Sequence, residues 1–234
     1  MSQIWPIGGG KGGTGKSFVT GSLGMLLARE GHQTLLIDLD LGAANLHTTI
    51  GVTHPEKSLS DFINRKVGSL REAVVPTPTP NLFLIGGAMN NLDIANLLHE
   101  QKMKLMREIV KLPYEYILLD LGAGTSFNTI DFFLISNSGI FITTPEPTAT
   151  ENIYRLIRSV YFRKIRQVLT VHFQALAKEA EERNSLATVT NPDLLLSVIK
   201  ELDPQKGEFL EEELRAFEFG LLMNQHRKRP VPAA

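Results

Sequence analysis

Gly10-Lys11-Gly12-Gly13-Thr14-Gly15-Lys16-Ser17 follows the strand-like Ile4-Trp5-Pro6-Ile7 and leads into a helix-like segment. It fits the phosphate-loop pattern, in which two glycines with four residues between them are followed by Lys and Ser. Each position has a physical task. Glycines let successive backbone N–H groups turn inward around phosphate oxygens, and a helix opening near Lys16 adds its N-terminal dipole. Lys16 is then set to reach the β and γ phosphates and Ser17 to put its hydroxyl on Mg²⁺. With glycine at 10, 12, 13 and 15, between a strand and a helix, a merely flexible loop is the poorer reading. Lys11 is not required by such a cradle, so it either faces solvent or serves a second phosphate contact.

Beyond the loop, apolar runs of strand length recur at residues 34–39, 81–85, 116–121, 140–143 and 219–223, with helical patterns between nearly all of them. Runs that are apolar throughout suit strands covered on both faces. The pattern therefore predicts an α/β fold with a doubly wound, mostly parallel sheet. Gly31 should close the first helix, Ser60 is an N-cap candidate for Asp61-Phe62-Ile63, and Pro113 should stop a helix running from about residue 93 to 112. Thr148 or Thr150 is expected to cap the next helix, with Glu151 in its first turn.

Over residues 162–215 the strand signals vanish, and an amphipathic pattern broken at Asn191-Pro192-Asp193 and at Asp203-Pro204 with Gly207 predicts a helical insertion before the last strand. Leu194, Leu195, Leu196, Val198, Ile199 and Leu202 could line one broad face of it. The whole chain, 1–234, is expected to be one domain with a frayed tail at 228–234.

Composition excludes several classes. The 234 residues are 43% hydrophobic and 21% charged with a net charge of −1, an ordinary globular balance that argues against nucleic-acid binding over the whole surface. There is no cysteine, hence no disulfide framework or thiolate chemistry, and the six histidines show no paired ligand spacing, so no metal beyond Mg²⁺ is indicated. Neither a run of about 18 apolar residues nor a cleavable leader is evident, and the expected compartment is the cytoplasm.

Two further stretches carry carboxylates. Leu35-Leu36-Ile37-Asp38-Leu39-Asp40 sets two aspartates at the C-terminal end of a buried strand, where ligands bind in open α/β sheets. Alternate strand residues share a face, so Asp38 and Asp40 should point the same way, and a nearby Mg²⁺ or lysine would relieve their repulsion. Tyr116-Ile117-Leu118-Leu119-Asp120-Leu121-Gly122-Ala123-Gly124-Thr125 has the form of a Walker B strand followed by a switch. Asp120 would hold Mg²⁺ through water and Gly122 would let the backbone approach the γ-phosphate.

Together these segments resemble the MinD/ParA superfamily of deviant Walker A P-loop ATPases; the wording DLDLGAANL, DLGAG and TPEPTA is most similar to the FlhG/FleN branch, and next to the MinD branch. The resemblance covers about residues 4–158 and resumes at 219–227. It implies a SIMIBI-type fold and a slow ATPase using ATP and Mg²⁺. Such a protein is a monomer with ADP and a sandwich homodimer with ATP, a switch that positions or regulates a division site or flagellum with regulatory protein partners. On this resemblance Lys11 is the signature lysine reaching the partner's nucleotide, catalytic together with Lys16 and Asp40. Asp40 positions or activates the attacking water, and Asp38 joins Ser17 and Asp120 in the Mg²⁺ shell and switch loop. Nucleotide binding falls to Gly10, Lys11, Gly12, Gly13, Thr14, Gly15, Lys16, Ser17, Phe18, Gly122, Glu146 in Thr144-Pro145-Glu146-Pro147-Thr148, and Asn224 in Leu222-Met223-Asn224-Gln225. An asparagine amide, one donor and one acceptor edge, suits adenine.

Three features depart from the family. Pro6 lies in a strand that this fold makes central, although proline cannot donate to a ladder. The 162–215 segment has no counterpart in shorter members. The membrane-inserting helix that ends MinD and FlhG is not among these residues, so contact with the inner membrane is expected only through a segment outside this chain. The run Arg155, Arg158, Arg163, Lys164 and Arg166 carries no acid between its cations, and DNA or a partner protein remain open as its ligand. The alternative function is accordingly a ParA-type DNA partition ATPase. Metal-cluster carriers on the same fold need cysteines that this chain lacks.

Overall fold

The computed structural model describes residues 2–87, 97–173 and 192–225. Among these residues seven strands form: β1 (Gln3–Gly9), β2 (Thr34–Leu39), β3 (Val75–Pro76), β4 (Leu82–Ile85), β5 (Tyr116–Ala123), β6 (Ser138–Thr143) and β7 (Glu218–Met223). They make one sheet of order β3-β4-β2-β5-β1-β6-β7, in which only the short β3 runs antiparallel to its neighbour. The helices are α1 (Lys16–Arg29), α2 (Leu46–Thr49), α3 (Leu59–Ile63), α4 (His99–Val110), α5 (Phe127–Phe133), α6 (Pro147–His172), α7 (Pro192–Leu202) and α8 (Pro204–Arg215), with a 3₁₀ turn at Leu70–Ala73. The fold is the doubly wound, mostly parallel α/β sheet that the apolar runs predict.

Strand alternation explains why those runs are apolar throughout. Leu35, Ile37 and Leu39 of β2 and Ile117, Leu119 and Leu121 of β5 enter the core shared with α4, α5 and α6. Leu36 and Leu118 face the other way, into the core with Ala28 of α1. Asp38 and Asp120 share the parity of Leu36 and Leu118, so both carboxylates emerge on the α1 side, and the register sets them directly opposite each other.

Pro6 is accommodated in the centre of the sheet. It pairs in register with Leu119 of β5, its carbonyl turns toward Gly139 of β6, and the β6 ladder begins only at Ile7. The missing N–H therefore falls where no partner strand yet asks for it.

Several local expectations are corrected. Ser58, not Ser60, caps α3, because Asp61 Oδ2 accepts the Ser58 N–H at 2.9 Å and its hydroxyl at 3.2 Å. Glu146 is the N-cap of α6 and Pro147 its first helical residue, which moves Thr148 and Thr150 inside the helix and Glu151 beyond its first turn. Pro192 and Pro204 each open a helix, with Asp203 capping α8 through its bond from Lys206 N–H at 3.1 Å. Gly207 lies inside α8; a Cβ there would come within 2.5 Å of Lys200 Cγ, so it serves a close helix crossing and breaks nothing. Residues 162–172 continue α6 without interruption, and α7 and α8 pack on that extension through Ile165, Val168, Leu169, Leu195, Val198, Ile199 and Leu210. Leu194 is not on this face but 40% exposed. The helix expected over about residues 93–112 runs from His99 to Val110 with Leu98 as its N-cap, so it starts later than the pattern predicts and ends three residues before Pro113. The middle of the 162–215 segment and the tail at 228–234 lie outside the described residues.

Candidate functional site

The phosphate loop joins the end of β1 to the start of α1 and is squeezed from two sides. A Cβ on Gly10 would lie 2.3 Å from the carbonyl carbon of Asn152 in α6, so only glycine lets the two backbones approach. Gly15, at φ +89, is the N-cap of α1, and a Cβ there would meet Asn224 Nδ2 at 2.3 Å. Around Gly12 and Gly13 the space is open, with no atom within 4 Å of an added Cβ. Lys16 and Thr14 are buried, while Ser17 and Phe18 sit in the first turn of α1, whose N–H groups lack intrahelical acceptors. The Phe18 ring itself is exposed, while its backbone N–H lies in that first turn.

The carboxylates converge beneath this loop. Asp38 is fully buried, and its two oxygens accept N–H bonds from Asp40 and Leu46, both at 3.1 Å. Burial first, then the neighbouring Asp120 charge, pushes its pKa up to about 7 against the pull of those two bonds. Asp120 is raised to about 6, again chiefly by burial, with the Ser17 hydroxyl and the Lys16 ammonium opposing the rise. Asp120 Oδ1 accepts from Thr20 at 3.4 Å, whereas its Oδ2 is buried with no hydrogen-bond partner among the described residues. Asp40 lies just past β2, is half-buried, accepts the Ala43 N–H at 3.1 Å, and sits beside Gly122, where an added Cβ would be 3.5 Å from its Oδ1. Asp38 and Asp40 thus share a parity but divide the work: one organises the following loop from inside, the other borders an opening of about 160 Å³ between Gly42, Gly122 and Asn128.

Lys11 does not enter the cradle. Its Nζ donates to Glu146 Oε2 at 2.9 Å and to Thr148 Oγ1 at 3.3 Å, at the N-terminus of α6. Asn224 follows β7, where its N–H continues the ladder to Thr143 O at 2.8 Å and its Nδ2 donates to Thr14 O at 2.9 Å. The first, second, fifth, sixth and seventh strands therefore all deliver a piece of one site. Sequence reasoning missed Thr20, whose hydroxyl bridges Lys16 O and Asp120, and Gln225, whose Nε2 donates to Gly13 O at 3.4 Å from a left-handed φ of 57. Thr20 stands one turn after Lys16 on α1, a spacing that could have flagged it.

The basic run splits. Arg155, Arg158, Arg163 and Arg166 line one cleft between α5 and α6, whereas Lys164 turns away to Asn137 at 3.0 Å and Glu213 at 3.9 Å. Lys164 therefore leaves the expected cluster, held by Asn137 just before β6 and by Glu213 of α8.

The arrangement fits a magnesium–nucleotide. An open glycine loop at a helix N-terminus, a buried lysine, a serine hydroxyl beside a carboxylate with one oxygen unpartnered, and a second carboxylate bordering the next opening supply anion contacts and a hard cation's oxygen ligands. Ser17 and Asp120 could hold Mg²⁺, with Asp38 behind them. No cluster of three or more His, Asp or Glu able to hold a metal unaided occurs among the described residues, and no described helix is long and apolar enough to cross a membrane.

Comparison with known proteins agrees with this geometry. A family profile described as "AAA domain" matches residues 2–175. A putative septum site-determining protein MinD of Guillardia theta is 30% identical over 200 residues, 85% of this chain and 73% of that protein. The antiactivator FleN of Pseudomonas aeruginosa is 27% identical over 194 residues, 80% of this chain and 67% of that one. Of several other septum site-determining relatives the chain spans 55 to 59% of the length. The septum site-determining protein MinD from Pyrococcus horikoshii, solved complexed with Mg-ADP, superposes with a TM-score of 0.58 at 29% identity, covering 65% of this chain and 62% of that one. With its glycine loop, second lysine and strand-end aspartates assembled in one site, the chain belongs to this AAA-domain family and, within it, to the MinD/ParA group of P-loop ATPases.

Proposed function

We propose that the chain is a Mg²⁺-dependent ATPase working as an ATP-driven dimerisation switch that regulates the placement of a division site or flagellum. The observation that carries this reading is the position of Lys11. Lys16 is buried under the loop, whereas Lys11 stands 43% exposed at the loop's mouth, tied to Glu146 and Thr148. A lysine so held can turn outward to a nucleotide on a second copy at little cost.

The chain's own groups divide the remaining tasks. The glycine loop and the first turn of α1 bind phosphate oxygens, and Lys16 neutralises their charge from below. Asp40, beside Gly122, is set to orient a water for attack, and Asp38 holds the loop carrying Asp40 through its bonds from Asp40 and Leu46. Bound Mg²⁺ would supply charge neutralisation on the phosphates. Asn224 joins the last strand to the loop and is suited to the adenine edge. Formation of a dimer surface with ATP would recruit a regulatory protein, and hydrolysis would release it.

The DNA-partition reading has less support, since Lys164 and Arg163 are engaged within the chain. The deciding experiment is the solution mass of Asp40→Ala protein with Mg²⁺ and ATP or ADP, beside the same protein carrying Lys11→Ala. A dimer with ATP alone, abolished by Lys11→Ala, is expected. A monomer with every nucleotide would sink the switch.

A further inference from the structure

None of the residues assigned to the nucleotide lines the cleft between α5 and α6. It measures about 510 Å³, and its walls carry Arg155, Arg158, Arg163 and Arg166 together with Phe127 and Phe162. Among the described residues, Arg155, Arg158 and Arg163 meet fewer carboxylates than their charges ask for. Arg155 meets Glu151 at the rim; Arg163 shares Asp131 with the buried Lys102, so two cations face one acid; and Arg158, half-buried, makes no ion pair with a described residue. The guanidinium groups of Arg163 and Arg166 lie 5.9 Å over the rings of Phe127 and Phe162. Phe127 is 73% exposed, a large apolar side chain left in water beside charge. Exposed aromatics flanked by arginine are the composition of interface anchors.

We propose that this cleft docks an acidic segment of a protein partner, with carboxylates against Arg158 and its neighbours and an apolar side chain on Phe127. Charge complementarity selects the occupant, and shape selects its class. A cleft of this size admits side chains, whereas a duplex presents its phosphates on a convex rod and needs cations that protrude; here Arg163 is drawn inward by Asp131. Arg158 is also a wall of the adjoining cavity of about 380 Å³ beside Tyr154, Tyr161 and Leu196, so a segment lying along α6 finds apolar surface beyond the charged cleft. Thr125, another wall of the charged cleft, is three residues past Gly122, and Phe127 opens α5. Docking is thereby linked to the segment that borders the nucleotide site, and only this linkage rests on the ATPase reading.

The test is fluorescence anisotropy with a labelled peptide of about a dozen residues, glutamate pairs separated by single phenylalanines, on the full chain. A fluorescent ATP analogue is titrated into the same samples. Wild type should bind the peptide, with Arg158→Glu weakening it about tenfold or more, Phe127→Ala weakening it too, and analogue binding and melting temperature unchanged in both. Equal peptide affinity in wild type and Arg158→Glu, or no binding at all, would overturn the proposal. So would displacement of the peptide by duplex DNA at matching concentration, which marks a nucleic-acid face, or by millimolar inorganic phosphate, which marks a simple anion site. Failure of the analogue to bind wild type would count against the ATPase reading alone, leaving the peptide result to stand by itself.

Discussion

Lys11 Nζ and Glu146 Oε2 are 2.9 Å apart, although 135 residues separate them in sequence. The bond joins the mouth of the phosphate loop to the N-cap of α6, and both side chains are largely exposed, 43% and 59%. Exposed pairs of this kind contribute about 0–1 kcal/mol. A contact that weak suits a residue that must change partners. Glu146→Gln should therefore leave the melting temperature nearly unaltered yet raise ATP-dependent dimer formation by up to about fivefold, because Lys11 no longer has a competing anion in its own chain. Sedimentation equilibrium with Mg²⁺ and ATP reads the change; an unaltered or weakened dimer would show that Glu146 does not compete.

The facing carboxylates give a pH dependence. Asp38 and Asp120 have folded pKa values near 7 and 6, above the ordinary carboxylate value of 3.8. Between about pH 4 and 7 the folded chain thus holds protons that the unfolded chain has released, and this pair's contribution to stability falls as pH rises through that window. Asp120→Asn removes one buried charge and should raise the nucleotide-free protein's stability at pH 8 by on the order of 1–3 kcal/mol while flattening the slope from about pH 4 to 7. Mg²⁺-dependent nucleotide affinity should fall in the same variant. Urea denaturation across pH checks the first outcome, and a stability loss at pH 8 would contradict it.

Gly10 tests the close approach of the loop to α6. An alanine Cβ there would sit 2.3 Å from backbone Asn152, where no flexible side chain can give way. Gly10→Ala should cost about 1–3 kcal/mol from overpacking and displace the loop enough to abolish nucleotide binding. Gly12→Ala, with nothing within 4 Å of the added methyl, should retain the melting temperature. Thermal melts of both variants make the comparison internal.

Much of this architecture is legible in the residues, for identifiable reasons. β2 needs Thr34–Leu39 buried on both faces and its sequence is apolar on both parities up to Asp38, so run and strand coincide. The loop and Asp120 are legible because motif and strand end are adjacent in sequence. β3 is two residues long and carries no periodicity. Side-chain preference points to threonine as the α6 cap, although Pro147 at the first helical position is the stronger geometric signal. Lys164 parts from its arginine neighbours because its partners, Asn137 and Glu213, come from distant segments. Nothing local announces them.

The buried ion triad behind the switch segment is the least legible feature and allows a sharp comparison. Asp131 on α5 takes Lys102 of α4 and Arg163 of α6, and both Lys102 and Asp131 are buried. Removing the shared acid strands two cations; removing one cation leaves the acid still paired. Asp131→Asn should therefore destabilise by about 3–5 kcal/mol, whereas Lys102→Met, of similar length and apolar, should cost about 1 kcal/mol or less. Equal losses in urea denaturation would mean that the triad is held by packing and not by charge.

Asn224 remains as the tie between the last strand and the loop. Its Nδ2 bond to Thr14 O at 2.9 Å crosses 210 residues of sequence, and its Oδ1 accepts the Gln225 N–H at 2.9 Å, which aims the amide. A hydrogen bond of this kind contributes about 0.5–1.5 kcal/mol, so Asn224→Ala should weaken nucleotide binding by roughly two- to tenfold through a loosened loop. If Asn224 also reads the base edge, the loss must be larger for ATP than for a triphosphate carrying a different base, because a loosened loop alone penalises both equally. Titrating ATP and GTP into wild type and Asn224→Ala separates the two roles: a selective loss for ATP assigns base recognition, and equal losses leave Asn224 as a strap on the phosphate loop.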